Sequence, residues 1–140
     1  MPQEKHLENL VQQAIAVMHN AYAPYSKFNV GAALLTDTGR IFIGCNVENA
    51  CYGLTVCAER NAICTMISHG ETKINEMVAL SSATILTTPC GACRQTIAEF
   101  SDHSCLVHCP HGGTYSQIKT LSIGELLPYG FEFDPDNLAE

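Results

Sequence analysis

Apolar residues recur at three- and four-residue steps through the first segment. Leu7, Leu10, Val11, Ala14, Ile15 and Met18 fall on one face of a helix spanning about Gln3 to Asn20. Ala23-Pro24-Tyr25-Ser26 stops it. The period then changes. Phe28–Thr36 and Arg40–Asn46 are apolar runs joined by the turn signal Asp37-Thr38-Gly39, which predicts a β-hairpin. Helical spacing returns from Cys57 to His69 through Ala58, Ala62, Ile63, Met66 and Ile67, and Gly70 ends it. A short buried strand follows over Glu76–Ser82, a helix over Cys90–Phe100 behind Pro89, and strands over Cys105–Cys109 and Tyr115–Leu121. Gly124–Leu127 reads as one helical turn before Pro128.

Helices separated by short apolar strands predict an α/β fold, a three-layer α/β/α sandwich around a mixed five-stranded sheet. With 140 residues, no repeat and no linker, the chain is expected to form a single domain over 1–140. The helices beginning at Cys57 and Cys90 each follow a strand and a loop. Both should project their first turns from one edge of the sheet, where open α/β sheets bind ligands.

Charge narrows the function. The formal net charge is −7, and the seven Lys and Arg residues are scattered rather than gathered in a stripe. Such a chain repels a phosphate backbone, so nucleic acid is not the expected partner. Charged residues make up only 15% of the chain, which fits a surface partly covered by another subunit. The polar start, Met1-Pro2-Gln3-Glu4-Lys5-His6, is unlike a secretory leader, and no run approaches the ~18 apolar residues of a membrane span. A cytoplasmic protein without a membrane partner is expected.

There are eight cysteines. In the cytoplasm thiols stay reduced, so their pattern points to metal or catalysis rather than to disulfides. Cys45, Cys64, Cys105 and Cys109 are expected to act as small buried hydrophobes. The others include Cys57-Ala58-Glu59 at the head of one helix and Pro89-Cys90-Gly91-Ala92-Cys93 at the head of the next. A catalytic zinc site has three protein ligands and one open position for water. Cys57, Cys90 and Cys93 supply three ligands, and no fourth is suitably spaced. Glu59 is not spaced as a ligand but can reach the water, take its proton and pass it on. Its plainer role would be to complement the helix dipole. The paired motifs favour catalysis, and a non-ligand Glu beside a Pro-Cys-x-x-Cys is the zinc deaminase arrangement.

Three thiolates on Zn²⁺ leave a net charge of −1, which weakens the metal's pull on its water. Two helix N-termini offset it. Arg60 is a candidate to do the same by hydrogen bonding to the sulfurs. A solvated surface arginine is an equally good reading of that position from sequence.

Several stretches, in order, resemble the small, homotetrameric, zinc-dependent cytidine deaminases over nearly the whole chain. They are Tyr25-Ser26-Lys27-Phe28-Asn29-Val30-Gly31-Ala32-Ala33, Gly44-Cys45-Asn46-Val47-Glu48-Asn49-Ala50, Tyr52-Gly53-Leu54-Thr55, Cys57-Ala58-Glu59-Arg60-Asn61-Ala62, Pro89-Cys90-Gly91-Ala92-Cys93-Arg94-Gln95 and Leu126-Leu127-Pro128. The resemblance implies one zinc ion per subunit and hydrolysis of cytidine and 2′-deoxycytidine to uridine and 2′-deoxyuridine, with release of ammonia, in pyrimidine salvage. It implies that Asn46 and Glu48 hold the ribose 3′-hydroxyl, that Phe28 packs on the pyrimidine, and that the backbone of Ala58 contacts the base. Tyr52 would lie near the site, and Phe131 would reach a neighbouring subunit's site. Cys51 departs from the small hydroxyl residue usual before Tyr52. Val107–His111 and the acidic tail Phe133–Asp136 are also unusual; the former reads as a strand end rather than a metal site. Antibiotic deaminases of the blasticidin type share the cysteine motifs, but the Asn46-x-Glu48 pair and Phe28 favour a nucleoside. A polynucleotide editor is disfavoured by charge, and a structural or redox zinc module would release no ammonia.

Overall fold

The computed structural model describes residues 2–137. Helix α1 spans Pro2–Met18, strand β1 Val30–Thr36, strand β2 Ile41–Cys45, helix α2 Ala58–Ser68, strand β3 Ile74–Ser81, helix α3 Gly91–Glu99, strand β4 Leu106–His111, strand β5 Gln117–Ser122 and the short helix α4 Ile123–Leu126. The five strands form one mixed sheet in the order β2-β1-β3-β4-β5. Only β3 and β4 pair in parallel. That pair is joined through α3, as a parallel connection requires.

The sheet is sandwiched. On one face Leu10, Ala14 and Met18 of α1 pack against Ala33, Val78 and Leu80. On the other, Ala58, Ala62, Ile63 and Met66 of α2 and Ile97 of α3 share a core with Leu34, Met77, Val107 and Leu126. These faces are the α/β/α layers the sequence predicts. Each fully buried Leu, Ile or Met contributes roughly 1.5–3 kcal/mol.

Strand directions locate the site. β2 and β3 both run antiparallel to β1, so they point the same way. Their C-terminal ends therefore release the loops that enter α2 and α3 from one sheet edge, as expected from the sequence order. Gly44 governs how closely α2 lies there. A Cβ on Gly44 would stand 2.5 Å from the Ala62 nitrogen and 2.6 Å from the Ala58 carbonyl oxygen. Both are backbone atoms and cannot swing aside.

Two details differ from the sequence expectation. Cys105 and Cys109 are buried, but Cys64 is exposed and Cys45 half-buried. Cys64 lies on the outer side of α2, beside Cys45, Ile43 and Val47 of the β2 edge, over a shallow groove. His108 is also not at a strand end. It sits inside β4 and is buried, with Nδ1 2.9 Å from the Thr120 hydroxyl and Nε2 3.3 Å from Glu76. His6 of α1 meets the other Glu76 oxygen at 2.6 Å. The packed layer thus satisfies an imidazole that sequence alone would place at a rim. No helix among the described residues is long and apolar enough to cross a membrane.

Two outcomes follow from this packing. Gly44→Ala should lever α2 off β2 and cost about 1–3 kcal/mol, with zinc content per chain falling alongside; thermal melting and metal analysis would check both. Burial lifts the Cys105 and Cys109 thiols from 9.0 to about 11. The unfolded chain would release these protons near pH 9 while the fold retains them. This contribution to stability is therefore complete below pH 9 and is lost as pH rises toward 11, at roughly 1.4 kcal/mol per pH unit for each thiol. Urea unfolding across that window should show the decline, and replacing both cysteines by alanine should flatten it.

Candidate active site

Helices usually begin at Ser, Thr, Asp or Asn, whose side chain caps a free backbone N–H. Here both inner helices begin at a cysteine. Cys57 caps α2 and Cys90 caps α3, each with extended backbone and no side-chain capping hydrogen bond. Neither sulfur is spent on capping, and both stand at the positive ends of helix dipoles. Cys93 is the third residue of α3, one turn on from Cys90. The Cys57 and Cys90 sulfurs are 3.9 Å apart, and all three sulfurs lie within 4.8 Å of one another. With zinc–sulfur bonds of about 2.3 Å, tetrahedral geometry separates ligands by roughly 3.8 Å. The cluster fits zinc, and it is the one such group among the described residues.

The thiols are electrostatically unequal. Cys57 is pulled down to about 5, chiefly by a hydrogen bond from the Cys93 thiol, with Arg60 and Cys90 also lowering it against desolvation. Cys93 is pushed the other way, first by that same bond to Cys57 and then by burial. Arg60 Nη2 lies 3.7 Å from the Cys57 sulfur and 3.4 Å from the Thr55 carbonyl oxygen. Its Nε is buried with no hydrogen-bond partner in the protein. Of the two readings open for Arg60, the geometry places it against the sulfurs and not on a solvated face.

Glu59 is 5% exposed and lies against Cys93. Desolvation raises its pKa, and the charge on Cys57 adds to that rise. A carboxyl in this setting readily holds a proton. It opens on a cleft of about 200 Å³ whose walls include Phe28, Asn46, Cys57, Ala58, Glu59 and Cys90. That volume lies below the usual ~300–1,000 Å³ of ligand pockets, suited to a small ring.

Comparison with known proteins identifies the arrangement. The "Cytidine and deoxycytidylate deaminase zinc-binding region" family matches residues 4–109. The chain belongs to that family. The cytidine deaminase of Sporosarcina psychrophila is 39% identical over 125 residues, covering 89% of this chain and 90% of its own. A probable cytidine deaminase of Dictyostelium discoideum is 41% identical over 126 residues, covering 89% and 83%. The crystal structure of cytidine deaminase from Burkholderia pseudomallei superposes with a TM-score of 0.83 at 39% identity, covering 89% of this chain and 98% of that one. The Mycobacterium tuberculosis enzyme gives 0.79 at 36%, covering 91% and 98%.

Within this deaminase fold the remaining sequence candidates divide. Asn46 lines the cleft, and its amide also ties the hairpin: Oδ1 accepts from the Val30 N–H at 2.8 Å and Nδ2 donates to the Phe28 carbonyl at 2.8 Å. Glu48 lies just outside, in a second cavity of about 380 Å³ with Tyr25, Ser26, Asn49 and Tyr52. It accepts from the Tyr25 and Ser26 N–H groups, each at 3.1 Å, and from the Ser26 hydroxyl, which holds its carboxyl below the usual range. Tyr52 is exposed and joins only this outer cavity. Phe131 joins neither; its ring is 71% exposed beside the far end of its own α3.

Sequence reasoning missed Thr55, which lines both cavities, and Thr87 and Thr88, which form part of the cleft wall. They sit in loops without periodicity, so nothing in the pattern marked them. It also gave Arg94 no role. Arg94 Nε donates to the Pro89 carbonyl at 2.7 Å, Nη2 to the Thr88 hydroxyl at 2.9 Å and Nη1 to the Leu126 carbonyl at 2.9 Å.

Arg60→Ala should leave most of the zinc in place while lowering turnover roughly 10–100-fold, the range for residues that support metal ligands. Metal content and activity measured on one preparation would check this, and unchanged turnover would remove Arg60 from the site.

Proposed function

We propose that this chain hydrolyses cytidine and 2′-deoxycytidine to uridine and 2′-deoxyuridine, releasing ammonia. One observation carries the reading. A buried glutamate that is not a ligand shares a small cleft with a three-sulfur metal cluster and an aromatic wall. Relatives of 39–41% identity named as cytidine deaminases support it.

In this reading Cys57, Cys90 and Cys93 hold the ion. Bound zinc supplies a Lewis acid and an acidified water facing the cleft. Phe28 packs on the pyrimidine ring and the Ala58 backbone meets its edge. Glu59 takes a proton from the attacking water and hands it to ring N3 as C4 becomes tetrahedral, then takes the proton left on the new hydroxyl and delivers it to the departing amine. Its raised pKa suits both steps, because burial favours its neutral form. Arg60 offsets the excess negative charge of the sulfurs. Asn46 and Glu48 bind the ribose 3′-hydroxyl with the capacity that their structural bonds leave over: a second amide N–H and further carboxylate lone pairs. Tyr52 borders the sugar's exit.

The wider reading is of one domain over 1–140, acting in the cytoplasm in pyrimidine salvage. It assembles as a homotetramer in which Phe131 enters a neighbour's cleft. Exposure of the Phe131 ring, outside its own cleft, supports that assignment.

The test is the fall in ultraviolet absorbance as cytidine becomes uridine. The zinc-loaded protein should turn cytidine over, and Glu59→Gln should retain zinc yet lose about 10²–10⁴-fold in rate. Turnover surviving that substitution would exclude Glu59 as the proton carrier. Inactivity of the intact zinc-loaded protein on cytidine, with activity on a cytosine antibiotic, would transfer the chemistry to that substrate.

A further inference from the structure

The C-terminal segment after α4 runs as an arm without helix or strand until Pro135 and is bonded back to α3. Tyr129 adopts the left-handed conformation, at φ 55°, which costs a non-glycine residue energy and persists only where its surroundings hold it. Gly130 follows, and a Cβ there would stand 2.7 Å from the Leu127 side chain. The arm nevertheless turns its aromatic rings outward. Tyr129 is fully exposed, Phe131 71% and Phe133 65%. Three exposed aromatics within five residues present a surface to something else.

What fixes this arm is α3. Gln95 Nε2 donates to the Phe131 carbonyl at 3.0 Å, and Arg94 Nη1 donates to the Leu126 carbonyl at 2.9 Å. The same nine-residue helix begins at Cys90 and carries Cys93. Through Nε and Nη2, Arg94 also holds Pro89 and Thr88, the two residues before Cys90. One helix thus bonds to the metal loop at one end and to the aromatic arm along its side. Among the described residues, Phe28 is the one aromatic lining the chain's own cleft.

We propose that Arg94 and Gln95 are positioning residues acting in trans. They set the arm so that Phe131 closes the cleft of a second copy of this chain, and they set it from the helix that holds two of the metal's ligands. This rests on the deaminase reading and its shared sites.

Gln95 offers the cleaner test, since Arg94 also touches its own metal loop. Gln95→Glu keeps the size but loses the N–H donor. It should raise KM for cytidine roughly 3–10-fold, the scale of one lost hydrogen bond, with kcat and zinc content near those of the unaltered protein. Co-expression of Gln95→Glu chains with Glu59→Gln chains adds the decisive arm. Glu59→Gln sites are inactive, but those chains carry a correctly held arm. Mixed oligomers should therefore recover a fraction of low-KM turnover from Gln95→Glu sites. An unchanged KM in the single variant, or mixed oligomers with only the raised KM, would overturn the proposal while leaving the deaminase reading intact. A zinc-loaded unaltered protein without cytidine turnover would instead overturn that reading, and this proposal with it.

Discussion

Two helices begin side by side at a cysteine, with their sulfurs 3.9 Å apart. Nearly everything else in the molecule serves that meeting. Strands β2 and β3 must point the same way, which places β1 antiparallel between them. Helix α2 must approach the sheet closely enough for Ala58 and Ala62 to touch the backbone of β2, which Gly44 permits. A cysteine at the cap leaves the first-turn N–H groups without a side-chain acceptor, a cost a soluble helix ordinarily avoids. That cost has a return. The uncommitted N–H groups and the helix dipole bear on a sulfur that must become a thiolate to bind metal.

The electrostatics follow from this crowding. Three thiolates and a glutamate converge in a small volume, so not all can be charged at once without a cation. The tension shows as divergence: Cys57 falls to about 5 while Cys93 and Glu59 rise. Arg60 is the protein's own contribution of positive charge, and its buried, unpartnered Nε marks how tightly it is drawn in. With zinc and Arg60 together the cluster approaches neutrality. Desolvation is the largest cause of the rise at Glu59, and a carboxyl whose neutral form is favoured in this way can take up a proton and give it up again.

Much of this was legible in the sequence because it depends on spacing. The switch between helical and strand periods located the layers. Cys57 at one helix head and Cys90-x-x-Cys93 at the other marked the three sulfurs that the fold brings together, because residues three apart on a helix share a face. Contacts set by loops were not legible. Thr55, Thr87 and Thr88 reach the cleft only because their loops fold over it. Cys64 has the composition of a core residue and the position of a surface one, since α2 buries only the side that meets the sheet. His108 reads as a rim residue until Glu76 and Thr120 are seen to meet it from the two neighbouring strands, with His6 of α1 holding the other oxygen of Glu76. Sequence marks a polar side chain; the fold supplies its partners.

The same distinction bears on specificity. The residues assigned to the sugar, Asn46 and Glu48, are also structural. One ties Phe28 to Val30 and the other ties the Tyr25–Ser26 turn. A side chain held by two backbone partners has already surrendered its rotamer freedom, so binding a hydroxyl costs it little further entropy. The cleft for the base is preorganised in the same sense, between a strand aromatic and two helix ends. Phe131 differs. It stands on an arm outside its own cleft, tied by Gln95 to the helix that carries Cys93, so it takes no part in preorganising the cleft of its own chain.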